Sequence, residues 1–420
     1  MKDKIKKPVR IKPVNNFALL FVLSLFQLVT GFAGANCGDA FEPKVMIALA
    51  LLIATEWVYL IFFYTVFHRR NFELEIIAFF LSGVGLVTIG SKNADAALKQ
   101  YFMILAGILI FIFLMFLLGY VDLCMKLRLY VAIGALLLLL VNLVIAKTTN
   151  GARNWITIGG ITLQPSEFVK VAFVFVGSAT LEKIQTSKNI IAFIGFSMAV
   201  VGSLIIIKDF GTALIFFVTF LIIAFMNSGD IKTIVLAVAS AVMGSAIVLK
   251  YRSNIKNRFA VYRHVMEPEF YYSTGYQQSR VLVGLASGGL FGLGIGNGNV
   301  RNIGESTNDL IFGVICEEWG YLFGIALVLS FVCIAVSALM NSIASRSTFY
   351  SIASIASAGM LLFQTSLNIF GITDILPLTG VTLPFVSQGG SSMMCCWAVL
   401  AFIKASDVRT YNYLGGAKKK

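Results

Sequence analysis

Long apolar runs separated by short polar loops dominate the chain. A bilayer hydrocarbon roughly 30 Å thick and a helical rise of about 1.5 Å per residue require about 20 apolar residues per crossing. About twelve runs meet that need, at approximately 16 to 35, 44 to 67, 74 to 91, 100 to 120, 129 to 147, 166 to 181, 189 to 207, 211 to 227, 231 to 249, 310 to 339, 349 to 370 and 391 to 405. The sixth, eighth and twelfth are short, as tilted or broken helices would be. No alternating strand pattern competes with them. The pattern predicts an all-α fold, a polytopic integral membrane helix bundle. The first run follows a basic segment, but it is long, lacks a small-residue cleavage site and precedes further spans, so it is expected to be retained rather than cleaved as a signal peptide.

Composition narrows the class. The chain is 58% hydrophobic and 13% charged, with a mean hydropathy of +0.87, where a soluble domain carries roughly a quarter charged residues. A soluble globular enzyme is excluded, and 36 Phe against 7 Pro exclude a disordered chain. A net charge of +13 fits nucleic acid or anionic lipid, and its placement decides. Lys2, Lys4, Lys6, Lys7, Arg10 and Lys12 precede the first span. Counting spans alternately puts Arg69, Arg70, Lys126, Arg128, Lys183, Lys188, Lys232, Arg346 and Lys418 to Lys420 on that same side. Lys and Arg resist translocation, so both termini are expected in the cytoplasm, with the basic tails against anionic headgroups and no nucleic-acid partner. Six Cys without a CxxC spacing and two His predict neither a disulfide framework nor a zinc site.

The loop from 250 to 309 falls on the outer side yet carries Lys250, Arg252, Lys256, Arg258, Arg263, Arg280 and Arg301. A long loop escapes the charge rule, so these cations are either solvated or hold an anionic ligand such as a lipid diphosphate. Four outer segments are too polar and too rich in Gly and Pro to be plain connectors. NGARNWITIGGITLQPSEFVK presents Arg153, Trp155, Gln164, Ser166, Glu167 and Lys170. It reads as a helix cap with an interfacial Trp, or as a ligand surface, since Lys170 sits about a turn inside a span. KDFGTAL places Lys208 and Asp209 between two apolar runs, as a broken helix lining a cavity or a tight hairpin. The stretch from 275 to 320 is the densest in polar residues and Gly, but its alternate glycines follow no strand, so it is no dinucleotide fingerprint. Asp309 ends its loop four residues after Glu305, as a general base or as a helix N-cap. Glu317 and Glu318 need partners, with Lys170 and Arg280 as candidates. The fourth segment, NIFGITDILPLTGVTLPFVSQGGSS, reads as a cover over an outer cavity and carries Ser387 and Ser391.

GARNWI with QPSEFVK, DFGTAL, YQQSR with SGGLFGLGIG, ESTNDLIFGVICEEWG and LPLTGVTLPFVSQGGSS, in this order over residues 150 to 405, resemble the SEDS proteins of the RodA, FtsW and SpoVE type. That resemblance implies a peptidoglycan glycosyltransferase that polymerises lipid II at the outer face of the bacterial cytoplasmic membrane, releasing undecaprenyl diphosphate, with a class B penicillin-binding protein as partner. The family's invariant aspartate falls on Asp309 and the preceding glutamate on Glu305. The chain then divides into residues 1 to 149, a basic cytoplasmic amino terminus and five spans where the family usually has three, so that two added helices are implied, and residues 150 to 420, the SEDS-type core including the large outer loop 250 to 309. Gly304, Lys208 and Gln388 depart from the Pro, Pro and Tyr frequent at those places.

On this reading Asp309 is the catalytic base. Candidate substrate contacts are Arg153, Trp155, Gln164, Ser166, Glu167, Lys170, Asp209, Arg258, Gln277, Arg280, Glu305, Ser387 and Ser391. Arg and Lys side chains, or a divalent cation such as Mg or Mn, would stabilise charge on the leaving diphosphate. Two other classes compete. A flippase for the lipid-linked precursor would spread acids and bases through the bilayer, and a scaffold or solute transporter would have no use for Asp309.

Overall fold

The computed structural model describes residues 15–38, 40–149, 152–158, 161–181, 187–232, 235, 238–239 and 258–411. Among the described residues, eight helices are long and apolar enough to cross a membrane, in agreement with a polytopic helical bundle. These are α1 (Asn16–Ala35), α2 (Pro43–Thr65), α3 (Glu73–Lys92), α4 (Ala94–Leu117), α5 (Val121–Ile145), α7 (Ser187–Ile207), α11 (Tyr321–Ile343) and α12 (Thr348–Ile372). Shorter helices are α6 (Pro165–Thr180), α8 (Phe210–Ser228), α9 (Tyr276–Gly288), α10 (Ile311–Trp319) and α13 (Gly390–Ser406). Most of the run expected at 231 to 249, the basic amino-terminal segment, Lys183, Lys250, Arg252, Lys256 and Lys418 to Lys420 lie outside the described residues.

Two expectations change. The single span expected at 310 to 339 is divided between α10 and α11 at Gly320, whose φ of 88° is a left-handed conformation that glycine adopts without a Cβ clash. Between α5 and α6 the chain forms a small antiparallel sheet, β1 (Lys147–Thr149), β2 (Ala152–Ile158) and β3 (Ile161–Leu163), with Trp155 opposite Lys147. Strands of three, seven and three residues are too short to register as a strand pattern beside long helices.

Helix α3 lies at the centre and is buried along most of its length, as is α13. Without a hydrophobic drive between helices in lipid, close approach of backbones carries much of the packing. Gly107 of α4 accepts the ring of Trp397 from α13, and a Cβ there would lie 2.8 Å from Cδ1. A Cβ on Gly85 of α3 would collide with the carbonyl of Val386, so α3 rests directly on the loop between α12 and α13.

The bundle has two polar ends. At one, Arg69 and Lys404 converge on Glu75, all fully buried, with Lys404 Nζ 2.9 Å from Glu75 Oε2. Asn71 Nδ2 donates to Asp407 Oδ2 at 2.7 Å and to Thr410 Oγ1 at 3.1 Å, and Arg346 lies over the rings of Tyr350 and Tyr411. At the other end lie the Gly-rich segment, the loop after α12 and Asp309.

Candidate active site

Asp309 stands in a run of turns ahead of α10. Glu305 has φ 63°, and its carbonyl accepts from Asn308 N at 3.0 Å and Leu310 N at 3.2 Å. The residue at the N-cap of α10 is Leu310, and no side chain caps it. Asp309 is therefore not consumed as a cap, and its Oδ1 is buried without a hydrogen-bond partner among the described residues. Burial pushes its pKa up to about 6; Glu305 adds to the rise, while backbone amides and the Arg258 guanidinium oppose it. Such a carboxylate is ionised at neutral pH and still basic enough to take a proton from a hydroxyl in a transition state.

Several elements fix this turn. Asn368 Nδ2, near the end of α12, donates to Asp309 O and to Val381 O, both at 2.7 Å. Ser387 Oγ donates to Asn308 O at 2.5 Å and accepts from Leu383 N at 2.8 Å, while Gln388 N donates to Thr307 O at 2.8 Å. The Gln388 contact is made by backbone and so does not depend on which side chain stands there. Gly380, at φ 70°, closes against the acid, since a Cβ would lie 3.5 Å from Asp309 Oδ2. Arg258 Nη1 reaches over this loop to Leu378 O at 3.0 Å and Thr379 O at 3.3 Å. From α3, Lys92 Nζ donates to Ser306 Oγ at 2.7 Å and Ile303 O at 3.1 Å, and Arg301 returns to Ser91 O and Gly296 O. Glu305 and three cations, Arg258, Lys92 and Arg301, thus belong to the segments that hold Asp309.

The remaining predicted residues form a second, more enclosed group. Pro165 is the first residue of α6 and Gln164 its N-cap. Gln164 N donates to Ser391 Oγ at 3.1 Å, and its Nε2 donates to Asp209 Oδ2 at 3.2 Å. Asp209 caps α8 by accepting from Thr212 N at 3.2 Å. KDFGTAL is thus a tight hairpin, and Lys208 has φ 72°, which the ring of a proline could not adopt. Ser166 is buried, and Lys170 Nζ contacts Glu167 Oε1 and Gln364 Oε1, each at 2.8 Å. The cavity beside them is about 10 Å³ and is lined by Glu167, Lys170, Gln364, Cys395 and Cys396 among others. That holds a water at most, so Lys170 is not placed to grip a diphosphate.

Arg280 is likewise committed. It donates to Tyr271 Oη at 3.1 Å and lies 4.8, 5.8 and 5.2 Å from the ring centres of Tyr271, Tyr272 and Tyr276. Gln277 is half-buried, whereas its neighbour Gln278 docks α9 on Gly371 O at 2.8 Å. Trp155 is half-buried on β2; Arg153 is on the same strand, but its side chain lies outside the described residues. Glu317 and Glu318 pair with neither Lys170 nor Arg280. Glu317 Oε2 accepts from Val300 N at 2.8 Å and Glu318 Oε2 from Gly296 N at 2.9 Å, so backbone amides of the Gly-rich segment engage one oxygen of each.

Three contributors were not foreseen. Lys92 resembles any cation at a helix end, but Gln364 and Asn368 carry a signal, two amides four residues apart in an apolar helix. No group of three or more His, Cys, Asp or Glu gathers as a metal cage among the described residues. Asp309 and Glu305 do suit the mode in which Mg²⁺ is held by one or two carboxylates together with substrate phosphates.

The sequence family described as cell cycle protein, FtsW/RodA/SpoVE, matches residues 59–412. The peptidoglycan glycosyltransferase RodA of Mycobacterium leprae (strain TN) is 28% identical over 271 residues, covering 60% of this chain and 58% of its own length. The chain thus spans a little over half the length of the mycobacterial RodA relatives it matches. The probable peptidoglycan glycosyltransferase FtsW of Bacillus subtilis (strain 168) is 29% identical over 380 residues, 83% of this chain and 93% of its own. Among solved structures, a chain of a peptidoglycan synthase complex that coordinates polymerization and crosslinking superposes with a TM-score of 0.68 at 21% identity, covering 82% of this chain and 98% of that one. The rod shape determining protein RodA of Thermus thermophilus gives a TM-score of 0.58 at 23% identity, covering 80% and 95%. These two likenesses concern the fold.

Proposed function

The chain belongs to the FtsW/RodA/SpoVE family, and from that premise we propose that it polymerises lipid II at the outer face of the bacterial cytoplasmic membrane, with Asp309 as general base. The observation that carries the reading is the half-buried Asp309 carboxylate, whose Oδ1 is buried and partnerless among the described residues and which is faced by Arg258, at the end of the bundle where the family segments converge. The 4-hydroxyl of the acceptor's terminal GlcNAc attacks the anomeric carbon of the donor's MurNAc. A carbon–oxygen bond forms there as the bond to the diphosphate breaks, the hydroxyl proton passes to Asp309, and undecaprenyl diphosphate leaves with the electron pair. A single displacement inverts the sugar carbon. General-base assistance of this kind contributes about a hundredfold to ten-thousandfold.

Charge grows on the departing diphosphate, so a cation aimed there favours the transition state over the ground state. Arg258, whose charge acts on Asp309, is the candidate for this role, with Lys92 and Arg301 on the segments around Glu305. A divalent cation, Mg or Mn, would enter with the diphosphate and lean on Glu305. Both termini face the cytoplasm in this reading, and a class B penicillin-binding protein is the partner. The segment ahead of the family match, α1 and the first half of α2, contains most of the added helical pair. A flippase reading has less support, because the described ionisable groups buried away from Asp309 are engaged locally, Arg69–Glu75–Lys404 and Glu167–Lys170 as ion pairs, Glu56 with Gln27, and Glu317 and Glu318 with backbone amides, rather than spaced as a path.

The test gives labelled lipid II to the purified chain, alone and with the partner, with and without divalent cation. Glycan chains from the wild type and none from a folded Asp309→Ala variant are expected. Translocation of lipid II without polymerisation, unaffected by Asp309→Ala, would overturn the reading.

A further inference from the structure

Gln364 and Asn368 lie one turn apart on the buried side of α12, and both spend their amide donors on the loop beside Asp309. Both acceptors of Asn368 Nδ2 are backbone carbonyls, those of Asp309 and Val381 at 2.7 Å. Its orientation is therefore fixed, because a flipped amide would set oxygen against two oxygens. Gln364 Nε2 donates to Thr382 O at 2.9 Å and to Thr382 Oγ1 at 3.2 Å, and its Oε1 accepts from Lys170 Nζ at 2.8 Å. Lys170 in turn pairs with Glu167 at 2.8 Å. One helix face thus pins three successive things, the peptide of Asp309 and the carbonyls of Val381 and Thr382. The residue just ahead of those carbonyls is Gly380, the wall against Asp309 Oδ2.

We infer that Asn368 is a positioning residue for Asp309, and that Gln364, aligned by the Glu167–Lys170 pair, holds the opposing loop in register with it. The buried ion pair then acts on the base through Gln364 and the loop, not on the substrate. Loss of the Asn368 bridge frees the acid's peptide from the 381 carbonyl, and displacement of a reacting group by about 1 Å costs about a hundredfold. The inference rests on Asp309 being the base.

The experiment measures steady-state lipid II polymerisation by the full chain with its partner, as kcat and KM across pH, together with thermal unfolding. For Asn368→Ala, kcat falls about tenfold to a hundredfold with KM within about twofold of wild type. Its acid limb also moves to lower pH, because a loosened turn admits water to a carboxylate that burial holds high while Glu305 and Arg258 still face it. Gln364→Glu retains the acceptor for Lys170 and loses the donor to Thr382; the same split, smaller, is expected, and it stands as the test if Asn368→Ala fails to fold. Wild-type kcat in either folded variant would overturn the inference, as would a loss that follows melting temperature with an unmoved acid limb. If Asp309→Ala itself retains wild-type turnover, the base assignment fails instead.

Discussion

Both ends of this bundle bury charge, and they do so in opposite ways. Around Glu75 every ion has a counterion at contact distance: Arg69, Lys404 and Glu75 close on one another, Asn71 and Asp407 join them, and the carbonyl of Asn71 accepts from both Arg69 and Lys404. Around Asp309 an acid keeps an unpartnered oxygen, a second acid stands near, and the cations hold loops instead of neutralising it. Burial of charge alone therefore does not mark a working site in a membrane protein. What distinguishes the Asp309 end is charge held in place without being cancelled, which leaves interaction free energy for a substrate.

The largest expected contrast comes from removing each acid. Asp309→Asn should lower turnover by about a hundredfold to ten-thousandfold while leaving thermal unfolding in detergent near wild type. A variant equally inactive and equally unfolded would erase the distinction between the ends. At the other end, Glu75→Gln leaves Arg69 and Lys404 buried without their counterion, and breaking a buried pair costs about 3–5 kcal/mol. Unfolding in denaturant should show that loss, whereas turnover per folded molecule should hold. Turnover falling as far as in Asp309→Asn would mean the closed cluster takes part in the chemistry.

Smaller effects test the electrostatics. With the Asp309 pKa near 6, kcat/KM should fall as pH drops through that value, because the protonated acid cannot accept a proton. Glu305→Gln removes a charge that raises this pKa, so the acid limb should move to lower pH; Arg258→Met removes one that lowers it, so the limb should move up. The same limb in all three proteins would remove Glu305 and Arg258 from the acid's surroundings. The least effect is expected from Asn15→Ala. Its side chain caps α1 through Phe17 N at 3.2 Å and Ala18 N at 3.3 Å, and the loss should be about 1 kcal/mol with no change in turnover.

Helical class and most span positions follow from hydropathy, because lipid forces the backbone to satisfy itself within each segment. The break at Gly320 was hidden, since a single glycine between two apolar helices leaves hydropathy unchanged. In the site, Asp309, Glu305, Arg258 and Ser387 fall together as their segments suggested, joined through Asn308 and the loop after α12. Lys170 and Arg280 could not be sorted in advance. Pattern identifies a cation near a membrane surface, but only packing tells whether a carboxylate or a tyrosine cage has already claimed it. Nor could the buried cluster at the end opposite Asp309 be read in advance. Arg69 read as a loop cation obeying the orientation rule, and nothing local reveals that Lys404, over three hundred residues later, reaches the same acid.

That separation bears on biosynthesis. Glu75 enters the membrane with only Arg69 for company, and Lys404, whose amine also bonds the carbonyl of Asn71 across 333 positions of chain, is made only after the other membrane-spanning helices described above. A nascent chain therefore carries an incomplete ion cluster throughout synthesis, and only insertion of α13 completes it. A chain that stops before that helix leaves Arg69 and Glu75 without Lys404, the ammonium that completes the buried cluster.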